Sequence, residues 1–139
     1  MARVLIIEDH PPDVYLLREA FRRSGISVDL VHIDNGSAAQ VYLSSCGPDE
    51  LPDLIFLDLN LPKLRGMELL RLIREGPELK NVPVAVLTSS DSNKDREDAY
   101  QRGANLFITK PAAHAEFFSV IAGAVRQLLP DAAHGLLAD

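Results

Sequence analysis

Residues 53–62, DLIFLDLNLP, decide the fold of this 139-residue chain. Residues 54–57 are four consecutive apolar residues, a pattern typical of a strand that is buried on both faces of a parallel sheet. Asp58 follows at the carboxyl end of this strand, the edge at which open α/β folds bind their ligands. Asn60 and Pro62 then end the strand, so we expect Asp58 to be rigidly held and open to solvent on one side. It is a candidate nucleophile, although a lone Asp more often ends a strand or caps a helix.

Length and composition predict a single globular domain with an ordinary core. The formal net charge of -6 argues against nucleic acid as a partner, because such binding needs clustered Lys and Arg. Cys46 is the only cysteine, which excludes an intramolecular disulfide and a multi-cysteine metal site. The sequence has no apolar run as long as a signal peptide or a membrane span. We therefore expect a cytoplasmic protein that binds neither nucleic acid nor membrane.

Strand and helix patterns alternate five times along the chain, which predicts a parallel sheet with helices on both faces. The predicted strands are residues 3–8, 28–33, 54–57, 82–87 and 106–108. We expect an α/β, flavodoxin-like (βα)5 fold, a doubly wound five-stranded parallel sheet in the order 2-1-3-4-5. Residues 91–102 predict a mostly charged helix with few apolar anchors, a candidate moving part. We expect residues 1–129 to form the domain and residues 130–139 a partly disordered tail, with no output domain.

The predicted strand order brings the polar ends of four strands to one edge. Glu8 and Asp9 end the first strand, and the others end in Asp58, Thr88 and Lys110. Lys110 starts about 10 Å from Asp58, at roughly 4.8 Å per strand, a gap that only a long side chain closes. Three gathered carboxylates repel one another by about 4 kcal/mol per close pair. A hard divalent cation such as Mg²⁺ relieves this repulsion, so we expect a magnesium site.

With Mg²⁺ bound, Asp58 can attack a phosphoryl group in line, and Lys110 and Thr88 can meet the charge on the transferred oxygens. His10 is the one histidine expected near this edge, so a soft-metal site is not predicted. Each of the other strand-end residues, taken alone, is more often a cap or a solvated charge. Together they favour phosphoryl transfer to an aspartate.

Four segments at these spacings resemble the receiver domain of two-component response regulators. They are VLIIED (4–9), DLIFLDLNLP (53–62), VAVLTSS (84–90) and LFITKP (106–111), and the resemblance runs from residue 3 to about residue 129. It implies that Asp58 accepts a phosphoryl group from a sensor histidine kinase. It also implies that Asp9 and Asp58 bind Mg²⁺ directly, with Mn²⁺ as a substitute. Glu8 is then expected to act through water, and Asn60 to supply its backbone carbonyl.

The resemblance also assigns roles around the phosphoryl group. Thr88 and Lys110 are expected to hold its oxygens, and the Lys110–Pro111 peptide bond is expected to be cis. The protein would be a signalling phosphoacceptor, not an enzyme, that catalyses its own phosphorylation and dephosphorylation. The switch that responds to phosphate matches Thr88 and Phe107, where many members of the family carry Tyr. A Phe has no hydroxyl to favour one rotamer, so this switch is expected to depend more on packing.

Two further segments narrow the group within the family. EDHPPDVYLLREAF (8–21) and PKLRGMELLRLIREGPELKNVPV (62–84) resemble stand-alone receivers found with phytochrome-type sensor kinases. Arg65 stands where the family commonly has an acid, which is expected to alter the loop over the site. Tyr15, Arg18 and Arg22, with the loop after Lys110, resemble a kinase-docking surface.

The last predicted helix carries two apolar stripes. Residues 117–128 place one stripe toward the core, and Phe118, Ala122 and Leu129 form a second stripe beside it. This second stripe exceeds what one sheet face can cover, so we expect a homodimer through the last helix and its neighbours. Packing of the tail on this surface is the alternative.

Three other functions are compatible with parts of the pattern. A hydrolase with an Asp-x-Asp motif is disfavoured because Asn60 cannot donate a proton to a leaving group. A receiver that docks without phosphorylation stays open, although the complete acidic and Lys set counts against it. A flavin carrier is disfavoured because Asp9, His10 and two prolines follow the first strand in place of a phosphate-cradling loop.

Overall fold

Five strands and five helices alternate along residues 1–129, the part of the chain that the structure, a computed structural model, describes. The strands are β1 (Ala2–Ile7), β2 (Val28–Ile33), β3 (Leu54–Leu57), β4 (Val84–Thr88) and β5 (Leu106–Thr109). The helices are α1 (Pro11–Ser24), α2 (Gly36–Ser45), α3 (Gly66–Glu75), α4 (Asn93–Gln101) and α5 (His114–Leu128). A single 3₁₀ turn, Pro48–Glu50, precedes β3. The tail predicted to be partly disordered lies outside the described residues.

The sheet is parallel throughout and has the order β2-β1-β3-β4-β5, which confirms the predicted flavodoxin-like topology. Backbone hydrogen bonds continue past the strand ends. The Asp58 N–H donates to the Ile7 carbonyl at 3.0 Å, and the Lys110 N–H donates to the Thr88 carbonyl at 2.7 Å. These bonds hold the polar residues after β3 and β5 in register at one edge of the sheet.

The core lies in two layers because side chains alternate along each strand. In β3, Leu54 and Phe56 pack on one face with residues of α1 and α5, such as Phe117. Ile55 and Leu57 pack on the other face, against α2 and α3. All four residues are at most 1% exposed, as the unbroken apolar run of β3 predicts. The strand that carries Asp58 is therefore rigid on both sides.

Helix α4 has little apolar anchoring, since only Ala99 among its residues is buried. Polar side chains tie it to β5 instead. The Phe107 N–H donates to the Tyr100 hydroxyl at 3.1 Å, and the Arg96 guanidinium lies 4.9 Å from the centre of the Phe107 ring. Because β5 is an edge strand, the Tyr100 contact satisfies a backbone donor that would otherwise be unpaired. The sequence pattern did not indicate these contacts.

The second apolar stripe of α5 is partly covered within the chain. The Arg23 guanidinium lies 4.6 Å from the centre of the Phe118 ring, and both Phe118 and Leu129 pack against the α1–α5 side of the core. The predicted homodimer through α5 stays a prediction. Within residues 1–129, the structure has no helix long and apolar enough to cross a bilayer.

The Lys110–Pro111 peptide bond is trans, so the expectation of a cis bond is wrong; residues 1–129 contain no cis peptide bond. The trans form is intrinsically favoured before proline by about 0.5–1 kcal/mol. Lys110 reaches its partners at the acidic edge from this trans geometry, so those contacts do not require the cis form.

Candidate functional site

Lys110 joins three carboxylates at the carboxyl edge of the sheet. Its Nζ lies 2.7 Å from Glu8 Oε1, 2.8 Å from Asp13 Oδ2 and 3.3 Å from Asp58 Oδ2. The side chain thus closes the two-strand gap between β5 and β3, as expected. Burial opposes its charge, but the hydrogen bonds that Lys110 donates to Asp13 and Glu8 outweigh burial and raise the pKa of Lys110. Lys110 is therefore a fixed positive charge among the acids.

Glu8, Asp9 and Asp58 form the predicted metal-binding cluster. Each offers a carboxylate oxygen, and these atoms lie within 4.8 Å of one another. Glu8 is 2% exposed and Asp58 5% exposed, whereas Asp9 is exposed to solvent. The Asn60 N–H donates to Asp58 Oδ1 at 3.1 Å, so the Asn60 backbone lies beside the cluster. An all-oxygen donor set of this charge fits a hard divalent cation such as Mg²⁺.

Glu8 is the most perturbed acid of the cluster. Burial, together with a hydrogen bond to Asp58, raises the pKa of Glu8 from 4.5 to about 8. His32 Nε2 lies 2.7 Å from the Glu8 carbonyl oxygen, a contact in which the ring N–H donates. His10 is therefore not the only histidine at this edge, and the prediction that it would be is wrong. The β1–β2 pairing places His32 opposite Ile6, next to the strand end.

Thr88 and Phe107 occupy the positions expected for the switch, and both are buried. Thr88 Oγ1 accepts a hydrogen bond from the Ser90 N–H at 3.3 Å, and no hydrogen bond of the described residues joins Thr88 to Asp58. Phe107 is 5% exposed, with its ring in the core beneath Arg96. The structure thus places both residues on neighbouring strands, β4 and β5. Their coupled movement stays a prediction.

The residues predicted for kinase docking lie beside the acidic cluster. Tyr15 and Arg18 line a cleft of about 380 Å³ together with Asp9. Tyr15 is 63% exposed, as a docking residue must be. Arg22 is exposed too, but its Nε pairs with Glu19 Oε2 at 2.9 Å. Arg65 is exposed immediately before α3, and its side chain does not cap that helix.

Asp13 is the site residue that the sequence analysis missed. It lies in the first turn of α1, where an acid is common because it favours the positive end of the helix dipole. Because an acid at this position is common, the sequence pattern did not indicate a contact between Asp13 and Lys110. The sequence did contain a signal, since Asp13 follows the strand-end acid Asp9 by only four residues.

A doubly wound sheet with an acid cluster, a buried hydroxyl and a lysine at its carboxyl edge defines a receiver domain. The family model of the response regulator receiver domain matches residues 4–122, and the chain belongs to this family. Its relatives include the response regulator Rcp1 of Synechocystis sp., 37% identical over 123 residues that span 86% of this chain and 84% of Rcp1. The chain spans most of this relative's length.

Solved structures agree with this assignment. The phosphorylated cyanobacterial phytochrome response regulator RcpA is similar at a TM-score of 0.85 and 35% identity, covering 92% of this chain and 94% of RcpA. The Mn²⁺-bound form of Rcp1 is similar at a TM-score of 0.82 and 34% identity, and the match covers 91% of this chain and 93% of Rcp1. The receiver domain of the sensor histidine kinase PA1611 from Pseudomonas aeruginosa is similar at a TM-score of 0.73 and 25% identity, and the match covers 93% of this chain and 98% of that domain. Its structure holds a magnesium ion in the active-site cleft.

These relatives establish the class of activity. The chain is a signalling receiver domain, and membership of this family implies a sensor histidine kinase as partner. The acidic cluster and the metal-bound relatives together support divalent metal binding at the site. The site geometry is consistent with a phosphoacceptor role.

Proposed function

We propose that Asp58 accepts a phosphoryl group from the phosphohistidine of a sensor histidine kinase, and that this reaction depends on Mg²⁺. The observation that carries the proposal is the environment of Asp58. It lies at the end of the rigid strand β3, its Oδ2 is 3.3 Å from Lys110 Nζ, and the acids Glu8 and Asp9 share its cluster. This combination of nucleophile, cation and oxygen donors is what phosphoryl transfer requires.

Each residue has a defined task in the transfer. A bond forms between an Asp58 carboxylate oxygen and phosphorus while the bond from phosphorus to the kinase's imidazole nitrogen breaks, and the imidazole leaves with the electron pair. The Asn60 N–H holds Asp58 Oδ1, which orients the carboxylate. Lys110 and Thr88 donate to the phosphoryl oxygens. Asp9 and Asp58 would hold Mg²⁺ directly and Glu8 through water, with the Asn60 carbonyl as a further ligand, and the ion would supply positive charge to the transferred oxygens.

The phosphorylated protein is proposed to hydrolyse its own acyl phosphate and to signal through altered contacts with other proteins. Phosphorylation adds roughly 1.5 to 2 negative charges, which draw the Thr88 hydroxyl toward Asp58. Movement of Thr88 alters the packing of Phe107 on the adjacent strand β5. Because Arg96 and Tyr100 both contact Phe107, this change reaches α4.

The proposed partner is a phytochrome-type kinase. The similarity to RcpA and Rcp1 supports this choice, and the exposed Tyr15 and Arg18 beside Asp9 provide the surface for docking. A purified, autophosphorylated bacterial phytochrome kinase is expected to transfer its phosphoryl group to this chain faster than a histidine kinase of a system that does not sense light. Equal or slower transfer would exclude the phytochrome-type partner and leave the receiver function intact.

Intact mass spectrometry tests the proposed chemistry. Wild type incubated with acetyl phosphate and Mg²⁺ is expected to gain one phosphoryl group, about 80 Da, and to gain none with a chelator. Asp58→Asn is expected to gain none under either condition. Asp53→Asn is a matched control, because Asp53 is exposed at the opposite end of the segment and, in the described residues, its side chain accepts a hydrogen bond only from the Arg3 N–H, at 2.8 Å. An unmodified, folded wild type, or a phosphorylated Asp58→Asn, would refute the assignment.

A further inference from the structure

Asp13 is the acid at Lys110 to which the proposed chemistry gives no task. Its Oδ2 lies 2.8 Å from Lys110 Nζ, closer than Asp58 Oδ2 at 3.3 Å. The same oxygen lies 2.8 Å from His10 Nδ1. The Asp13 side chain is 16% exposed, so its contact with Lys110 is shielded from solvent. It joins the first turn of α1 to the loop after β5.

The Lys110 ammonium is surrounded by three carboxylates. It donates hydrogen bonds to Asp13 and Asp58, and its Nζ lies 2.7 Å from Glu8 Oε1. A phosphoryl oxygen that binds Lys110 must therefore compete with these carboxylates. The contact with Asp58 is the longest of the three, and an Asp58 oxygen becomes the atom bonded to phosphorus. Glu8 and Asp13 then remain as competitors for the ammonium.

We propose that Asp13 is a positioning residue that shares the Lys110 ammonium and thereby weakens the hold of the site on the phosphoryl group. This inference rests on the function proposed for Asp58. The Asp13 carboxylate is negatively charged, like the phosphoryl oxygens, and it contacts the Lys110 ammonium that must bind those oxygens. Its charge therefore weakens binding of the phosphoryl group. Its sign is opposite to that of the metal, so the same charge favours Mg²⁺. The two ligands of the site are thus expected to respond to Asp13 in opposite directions.

Substitution of Asp13 tests this with beryllofluoride, an anion that imitates the phosphoryl group, and with Mg²⁺ alone. Asp13→Asn keeps the shape and an acceptor oxygen but removes the charge. It is expected to bind beryllofluoride about five-fold more tightly in saturating Mg²⁺, and Mg²⁺ alone about two- to five-fold more weakly, as measured by calorimetry. Asp13→Glu restores the charge and is expected to move both affinities back toward the wild-type values.

Glu19→Gln is the matched control, because it removes one negative charge from α1 at a residue that pairs with Arg22. Both affinities of this variant are expected to equal those of wild type. Unchanged or weaker beryllofluoride binding by Asp13→Asn would overturn the inference, and so would a lowered unfolding temperature with unchanged affinities. In these cases phosphorylation of Asp58 in wild type still supports the proposed function. A wild type that takes neither beryllofluoride nor a phosphoryl group would overturn both.

Discussion

Gly66 shows how closely the backbone packs under the nucleophile. A Cβ added there would lie 2.3 Å from the Asp58 carbonyl oxygen and 2.6 Å from Leu59 Cα. Both are backbone atoms of the segment that presents Asp58, so neither can move without shifting the site. We expect Gly66→Ala to lower the free energy of unfolding by about 2 kcal/mol or more in urea titrations. It should also slow phosphorylation by acetyl phosphate.

Gly123 provides the control for this prediction. Among residues 1–129, no atom outside the local helix backbone lies within 4 Å of a Cβ added at Gly123 in α5. Gly123→Ala is expected to raise the free energy of unfolding by about 0.5–1 kcal/mol, because alanine loses less entropy in a helix. Equal effects of the two substitutions would show that the contact with the Asp58 backbone is unimportant.

The raised pKa of Glu8 predicts how the stability of the fold and its binding of metal depend on pH. Burial raises the pKa of Glu8 from a usual value of 4.5 to about 8, so the folded protein binds this proton more tightly than the unfolded chain. The stabilisation from this proton is complete below pH 4.5 and is lost as the pH rises through about 8, with a slope of up to about 1.4 kcal/mol per unit. A bound divalent cation would compete with this proton. The rise in unfolding temperature caused by Mg²⁺ should therefore be larger at about pH 8 than at about pH 6.

Glu8→Gln checks this prediction, because the variant cannot ionise. Its metal-free unfolding temperature is expected to depend less on pH over this range than that of wild type. Glu68→Gln serves as control, since a hydrogen bond from Arg71 lowers the pKa of Glu68 instead. Parallel pH profiles for wild type and Glu8→Gln would contradict the role given to Glu8.

At the scale of the elements, Arg74 connects α3 to the start of two strands. Its guanidinium donates to the Gly103 carbonyl at 2.9 Å, the Val82 carbonyl at 2.8 Å and Asn105 Oδ1 at 3.0 Å. We expect Arg74→Met to lower the free energy of unfolding by about 2–4 kcal/mol, because the partly buried carbonyls of Gly103 and Val82 lose their donor. Arg71→Met is the control, since Arg71 pairs at the surface with Glu68 and Glu75. It should leave the free energy of unfolding nearly unchanged in urea titrations, because such exposed pairs contribute little.

Strand order and the acidic edge were predictable because each apolar run ends in a polar residue. The register of β1, β3, β4 and β5 then follows from parallel pairing and carries Glu8, Asp58, Thr88 and Lys110 to one edge. Arg74 was not predictable, because its partners are main-chain carbonyls that no side-chain pattern reveals. The polar ties of α4 were missed for a related reason: Tyr100 and Arg96 bind the backbone and ring of Phe107, and both residues are ordinary on a charged helix.

At the scale of the whole molecule, sedimentation tests the predicted homodimer through α5. We expect wild type to sediment as a dimer and Ala122→Arg, at a half-buried position of the predicted stripe, to sediment as a monomer. Ala112→Arg places the same charge on the exposed loop before α5 and should leave the dimer intact. A wild type that sediments as a monomer, before and after treatment with beryllofluoride, would refute the dimer.

The contacts between Lys110 and its three carboxylates can form only when distant parts of the chain have folded together. Glu8, Asp13, Asp58 and Lys110 are spread over most of the chain, with the lysine on the loop after the last strand. Closing so long a segment is entropically costly, and contacts this distant in sequence tend to form late. A chain emerging from the ribosome carries its acids well before the lysine can join them. We therefore expect Asp58 to accept a phosphoryl group only after β1, β3 and β5 have assembled into the sheet.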